Sequence, residues 1–166
     1  MDEREKYMRE AIALSLESVN EGGGPFGAVI VESVSGKVVG RGKNRVTLHH
    51  DPTAHAEIES VRDASKNLMR DDLVGFVLYT SSVPCPECMA ALIFNAGIKE
   101  IYYANTMTDA AAVGFADEKN WNILETTPQD MAKKAGANIA QLMHDDAQTS
   151  FKAWQAKLDK VEYYKA

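Results

Sequence analysis

The sequence predicts a layered α/β domain with a sheet at its centre. Two observations carry this. Short apolar runs of strand length alternate with segments of helical period through the middle third of the chain. In addition, 166 residues at 45% hydrophobic and 25% charged suffice for one sizeable core, with no internal repeat, low-complexity tract or linker to divide it, so residues 1–166 read as a single domain.

The elements follow in order. From Arg4 to Asn20, Met8, Ala11, Ile12, Leu16 and Val19 recur at spacings of a helix with one buried stripe, and Gly22-Gly23-Gly24-Pro25 ends it. Phe26 to Val31 and Lys37 to Gly42, joined across Ser35-Gly36, read as a strand hairpin. Asn44 to Thr53 is polar and loop-like, and Asp51-Pro52-Thr53 reads as the start of a helix running through Val61, Ala64 and Leu68. Val74 to Thr80 is a strand that delivers the chain to Pro84. Pro86 suits the first turn of a helix that Gly97 stops, and Ile98 to Ala104 is the next strand. Thr108 to Phe115 and Thr127 to Ala135 read as helices and Ile139 to Met143 as a strand. Phe151, Trp154, Leu158 and Val161 give a final amphipathic helix from Ala147 to Tyr164.

Charge and cysteine usage exclude several classes. The net charge of −6 repels phosphate backbones, so a small substrate is favoured over nucleic acid. The start, Met1-Asp2-Glu3-Arg4-Glu5-Lys6, lacks the apolar core of a secretory signal, and no stretch reaches the length of a membrane span. Both cysteines lie in Pro84-Cys85-Pro86-Glu87-Cys88, where two intervening residues suit metal ligands or a redox pair better than a structural disulfide. A reducing cytoplasm is the expected setting.

The chemistry centres on that stretch read with His55-Ala56-Glu57. Two thiolates and one imidazole make three ligands for a tetrahedral zinc, and three ligands with one open corner is the catalytic rather than the structural pattern. Glu57, two residues from the histidine, is the candidate proton carrier. The two would lie about 200° apart on an ideal helix, so they can line one cavity only at a helix beginning. A zinc ribbon would need a second cysteine pair, which the chain lacks, and a redox pair would need no His-x-Glu partner. His49, His50 and His144 read as surface residues, and the seven methionines as core filler.

His-x-Glu followed by Pro-Cys-x-x-Cys is the zinc deaminase signature. With Gly24-Pro25-Phe26-Gly27-Ala28, Asn44, Asp51-Pro52-Thr53-Ala54, Thr108-Asp109-Ala110-Ala111 and Gly114-Phe115-Ala116-Asp117, the chain resembles, over nearly its whole length, bacterial guanine deaminases of the cytidine deaminase-like superfamily. That resemblance implies a three-layer αβα sandwich around a mixed five-stranded sheet. It implies hydrolysis of guanine to xanthine and ammonia by a zinc-activated hydroxide, with Zn2+ on His55, Cys85 and Cys88 and Glu57 as proton shuttle. Asn44 would hold the base, Phe26 pack on it, Ala56 line the pocket and Asp117 read the guanine edge. Tyr163 would reach in from a neighbouring subunit of a homodimer, with the last helix, about 146–166, suited to exchange. Read singly, Asn44 is equally a turn residue, Phe26 core, Asp117 a helix cap and Tyr163, next to Tyr164, surface. Val83 stands where relatives have glutamate, and Ser82 and Glu87 are also less typical, which bears on the loop's lining rather than its ligands. The resemblance leaves open guanosine or another aminated purine or triazine as substrate. Editing of adenosine in transfer RNA and a non-catalytic zinc-stabilised module are further alternatives.

Overall fold

The computed structural model describes residues 2–162. Helix α1, Glu3–Asn20, starts at Asp2, whose carboxylate accepts from the Arg4 N–H. Strands β1, Gly27–Glu32, and β2, Val38–Lys43, form the expected antiparallel hairpin. The segment expected as loop contains one short helix, α2, Val46–His49. Helix α3, Ala56–Leu68, begins later than Asp51-Pro52-Thr53, which is instead a turn in which Asp51 Oδ1 accepts from the N–H and the hydroxyl of Thr53.

Strand β3, Phe76–Ser82, leads through the cysteine loop into α4, Pro86–Ala90, which continues as a π-helical turn over Ala91–Asn95. Beyond it lie β4, Glu100–Asn105, and α5, Met107–Ala112. Then come α6, Glu118–Ile123, and α7, Pro128–Lys134. The last two elements are β5, Asn138–Gln141, and α8, His144–Ala156.

The strands form one sheet in the order β2-β1-β3-β4-β5, antiparallel across β2-β1-β3 and parallel across β3-β4-β5. Alternate residues of each strand serve opposite faces. Ala28, Ile30, Leu78 and Ile101 pack with α3, α4 and the buried Trp121 of α6, whereas Val29, Val31, Val77, Tyr79 and Tyr102 pack with Tyr7, Met8, Ala11 and Ile12 of α1 and Ala147 of α8. Three layers result. A third apolar cluster, Val19, Ala110, Phe115, Phe151 and Trp154, fastens α1, α5 and α8 together near the start of β1.

Two glycines fix how closely α3 lies on the sheet. A side chain at Gly42 would overlap the Ala56 carbonyl, and one at Gly40 would overlap that of Ser60. The close approach they permit sets the height of the N-terminal turn of α3 above β2. Antiparallel pairing brings the start of β1 beside the end of β3, with Ala28 opposite Thr80. Phe26, the cysteine loop and the start of α3 therefore meet at one end of the sheet, where parallel strands characteristically present their sites.

The final helix ends earlier than its apolar spacing suggests. Lys157 turns to extended backbone, and Leu158 and Val161 lie beyond the helix, exposed. Tyr163 lies outside the described residues, as does the end of the segment expected to be exchanged.

Candidate metal centre and active-site cleft

His55 caps α3 from an extended conformation, so it stands off the helix and the angular separation expected from helical periodicity does not apply. Cys85 caps α4 in the same way, accepting from the Cys88 N–H at 3.5 Å, with Pro86 in the first turn. The two caps face one another. His55 Nδ1 lies 3.5 Å from Cys85 Sγ and 3.4 Å from Cys88 Sγ. Ligands at zinc's usual bond lengths span tetrahedral N···S edges of about 3.5 Å, so these separations fit one ion between the three donors. Among the described residues they are the one His/Cys/Asp/Glu group close enough to hold a metal.

The electrostatics suit a cation. Both sulfurs are buried and unoxidised. The Cys85 thiol is held well below its ordinary value by the Cys88 thiol bonded to it and by the His55 imidazole, despite its burial. Burial alone would lower the His55 pKa, but the Cys85 thiolate raises it to about 9. The hydrogen bond to Cys85 and burial push the Cys88 thiol up, so a divalent ion held by the three donors would displace the protons of His55 and Cys88.

Glu57 sits on the first turn of α3, 6% exposed, its Oε1 accepting from the Thr80 hydroxyl at 3.1 Å and its Oε2 3.7 Å from Cys88 Sγ. Burial, with the negative Cys85 beside it, pushes its pKa up to about 7. A carboxyl poised there can both take and give a proton near neutral pH.

The cleft over this cluster is lined by Phe26, Asn44, His55, Ala56, Glu57, Val83, Cys85, Phe115 and Asp117. Asn44 is buried, and its Oδ1 accepts from the N–H groups of Gly24 and Val46, each at 3.3 Å. Since both neighbours are donors, the amide orientation is fixed and the NH2 is what Asn44 offers to the cleft.

Residues 1–105 match the cytidine and deoxycytidylate deaminase zinc-binding region. The chain belongs to this zinc deaminase family. It is 39% identical to a guanine deaminase of Bacillus subtilis (strain 168) over 96% of this chain and 98% of that protein. It is 31% identical to a tRNA-specific adenosine deaminase of Haemophilus influenzae, over 82% of this chain and 80% of that one. A protein solved in complex with 2,6-diaminopurine superposes with a TM-score of 0.83 at 26% identity, covering 97% of this chain and 85% of that one.

Within this cleft stand all the site residues expected from sequence except Cys88, which is buried with its Sγ 3.4 Å from His55 Nδ1, and Tyr163, outside the described residues. Val83, expected to change the lining of the cysteine loop, and Phe115, to which sequence reading gave no role, complete the lining. Thr80 was also missed, although a hydroxyl inside an apolar strand is a signal that something polar faces it. His144, expected at the surface, lies there with its side chain 38% exposed, and is hydrogen-bonded through Nε2 to Asp109 Oδ2 at 2.7 Å.

Proposed function

We propose that this chain is a zinc-dependent guanine deaminase, converting guanine and water to xanthine and ammonia. The observation that carries the reading is Glu57: a buried carboxylate beside a three-donor metal cluster, at the floor of a cleft walled by Asn44, Phe26 and Asp117. His55, Cys85 and Cys88 would hold the zinc, which when bound supplies the Lewis acidity that makes water a nucleophile near neutral pH.

The chain's own residues do the rest. The Asn44 NH2 donates to a ring acceptor and the Asp117 carboxylate accepts from the guanine N–H edge, while Phe26 and Ala56 enclose the ring. This holds the amino-bearing carbon towards the metal. Glu57 takes the proton of the attacking water and passes it to the adjacent ring nitrogen. It then takes the remaining proton of the newly added hydroxyl and hands it to the amino group, whose C–N bond breaks as it departs as ammonia. Thr80 holds one Glu57 oxygen in place, leaving the other for this traffic.

The Bacillus relative's activity and the purine in the solved neighbour support a free base as substrate. The Haemophilus relative raises the alternative of transfer RNA. Holding a folded RNA calls for unpaired cations on one face. Here, among the described residues, four of the five cations grouped beside α3, all but Lys66, are already committed: Arg41 to Glu10, Lys43 to Glu17 and Glu21, Arg45 to Glu21 and Arg62 to Glu59.

Zinc-loaded protein incubated with guanine, guanosine, adenine and diaminopurine, with ammonia followed, tests the reading. Guanine should turn over fastest. Turnover of guanosine with guanine inert would replace it with a nucleoside deaminase, and bound zinc with no turnover would favour a non-catalytic module.

We further infer a homodimer in which the chain beyond α8 serves the neighbouring subunit, bringing Tyr163 to its cleft. Leu158 and Val161, apolar and exposed after Ala156, support a covered path for this segment.

A further inference from the structure

We propose that His144 is a positioning residue for this reaction: by holding Asp109 at the start of α5 it fixes the Phe115–Asp117 wall of the cleft, so that breaking the pair weakens substrate binding and spares the chemical step. The inference rests on reading the cleft as the base pocket.

The connection runs through short, fully specified links. Asp109 closes the capping box of α5, its Oδ2 accepting from the Thr106 N–H at 2.8 Å and the Thr106 hydroxyl at 2.6 Å. His144 Nε2, on the first residue of α8, reaches the same oxygen at 2.7 Å. The start of α8 is thereby tied to the start of α5.

At its other end α5 controls the wall. The Phe115 N–H donates to the Ala110 carbonyl at 2.9 Å across a turn at Gly114, whose φ of +101° suits glycine. Phe115 therefore moves with α5, and Asp117 follows two residues on. The Phe115 ring meets Phe26 edge-on at 4.8 Å and tilts against Trp154 of α8 at 5.5 Å, while Phe26 meets Phe151 of α8 at 5.7 Å. Thus α8 grips the wall twice, by its aromatic residues from behind and by His144 at the hinge of α5. The same helix reaches the cysteine loop: Gln148 donates to Asn105 Oδ1 at 2.7 Å, and Val83 N–H to the Asn105 carbonyl at 2.8 Å. Neither His144 nor Asp109 lines the cleft, which is why the pair acts through Phe115 and Asp117.

The charges around His144 can be enumerated. Asp109 faces it from α5 and Asp145 from its own helix, at 3.1 Å from Nδ1. On α1, Arg9 is engaged by Asp146 at 3.2 Å and approached by Glu5 at 3.9 Å. Asp109, then Asp145, raise the His144 pKa above 6.5. The pair is therefore charged at pH 6 and weakens as the imidazole loses its proton in alkali.

The test compares zinc-loaded wild type, His144→Gln and His144→Arg by steady-state ammonia release from guanine between pH 6 and pH 9, with tryptophan emission followed over the same range without substrate. At pH 6 His144→Gln should raise KM about three- to fivefold with kcat within about twofold. The difference should narrow as pH rises and the wild type loses its own charge. His144→Arg, which keeps a cation against Asp109, should hold KM near the wild-type value at pH 6 and below it at pH 9. An unchanged KM in His144→Gln, or a loss confined to kcat, overturns the positioning role. If the wild type releases no ammonia from guanine, it is the functional reading that fails. In that case, or if His144→Gln does not fold, the emission of Trp154 decides, read in a Trp121→Phe background because Trp121 also emits. It should titrate in the wild type with a midpoint above 6.5 and not in His144→Arg, and identical titrations overturn the proposal.

Discussion

In the proposed reaction Glu57 carries two proton transfers, and its surroundings show how one carboxylate could do so. Desolvation makes it a better base than an exposed glutamate, while the Thr80 hydroxyl restricts it to one orientation. Glu57→Gln should therefore bind zinc normally and lose about 10² to 10⁴ in kcat, measured by ammonia release alongside metal analysis. A variant retaining most of its turnover would remove Glu57 from the mechanism. Thr80→Val keeps the shape and deletes the hydroxyl, leaving Glu57 without that bond; kcat should fall on the order of tenfold, with KM little changed. At this scale the metal donors were legible from sequence because few residue types bind zinc and their spacing is short. Thr80 and Phe115 were not. Thr80 reaches Glu57 from a strand and Phe115 reaches the cleft from the loop after α5, and only the folded sheet end brings them together.

Between elements, the join of α8 to the rest is the informative one. Trp154 is 1% exposed, against Phe115, so Trp154→Ala leaves a cavity where α1, α5 and α8 meet. It should cost about 3 to 5 kcal/mol, a fall of roughly 10 °C in Tm by calorimetry, with a rise in KM because Phe115 loses its backing. The His144–Asp109 pair adds a pH dependence. Burial works against ionised Asp109, but the Thr106 hydroxyl and N–H and His144 together hold its pKa below 3.8. Its contribution is present above the unfolded value and is lost as pH falls through the folded one. His144, raised above 6.5, contributes fully below that value and is lost as pH rises through its folded one. The pair therefore stabilises most between these limits, by about 0.5 to 1 kcal/mol given its exposure, or about 1 to 4 °C in Tm. His144→Gln should flatten that window in a Tm series from pH 4 to pH 9. Long elements with a sustained apolar period were legible. α6 was not, because a six-residue helix burying only Trp121 shows no period, and α8 was read too long because Leu158 and Val161 continue the spacing after the backbone has left the helix.

On the scale of the molecule, the zinc donors join two helix starts separated by a whole strand and its loops. His55 precedes α3, Cys85 precedes α4, and Ala56, Ala64, Met89 and Leu92 of those helices share one apolar cluster against the same sheet face. A metal held there cross-links α3 to the β3–α4 crossover in the folded state only, so it stabilises the fold by mass action as well as enabling the chemistry. Chelation should abolish ammonia release. It should also lower Tm by roughly 5 to 10 °C if zinc had been present at about a hundred times its dissociation constant, since that excess is worth about 2.7 kcal/mol. The sheet itself should survive loss of the ion, because the apolar clusters on both its faces include none of the three donors. Far-ultraviolet circular dichroism should thus be retained at 25 °C, and added zinc should restore both activity and Tm. Cys88→Ala should show the lowered Tm without chelator and no further drop with it. Undiminished activity after complete removal of metal would mean that the three donors serve the fold alone and that Glu57 works without a Lewis acid beside it.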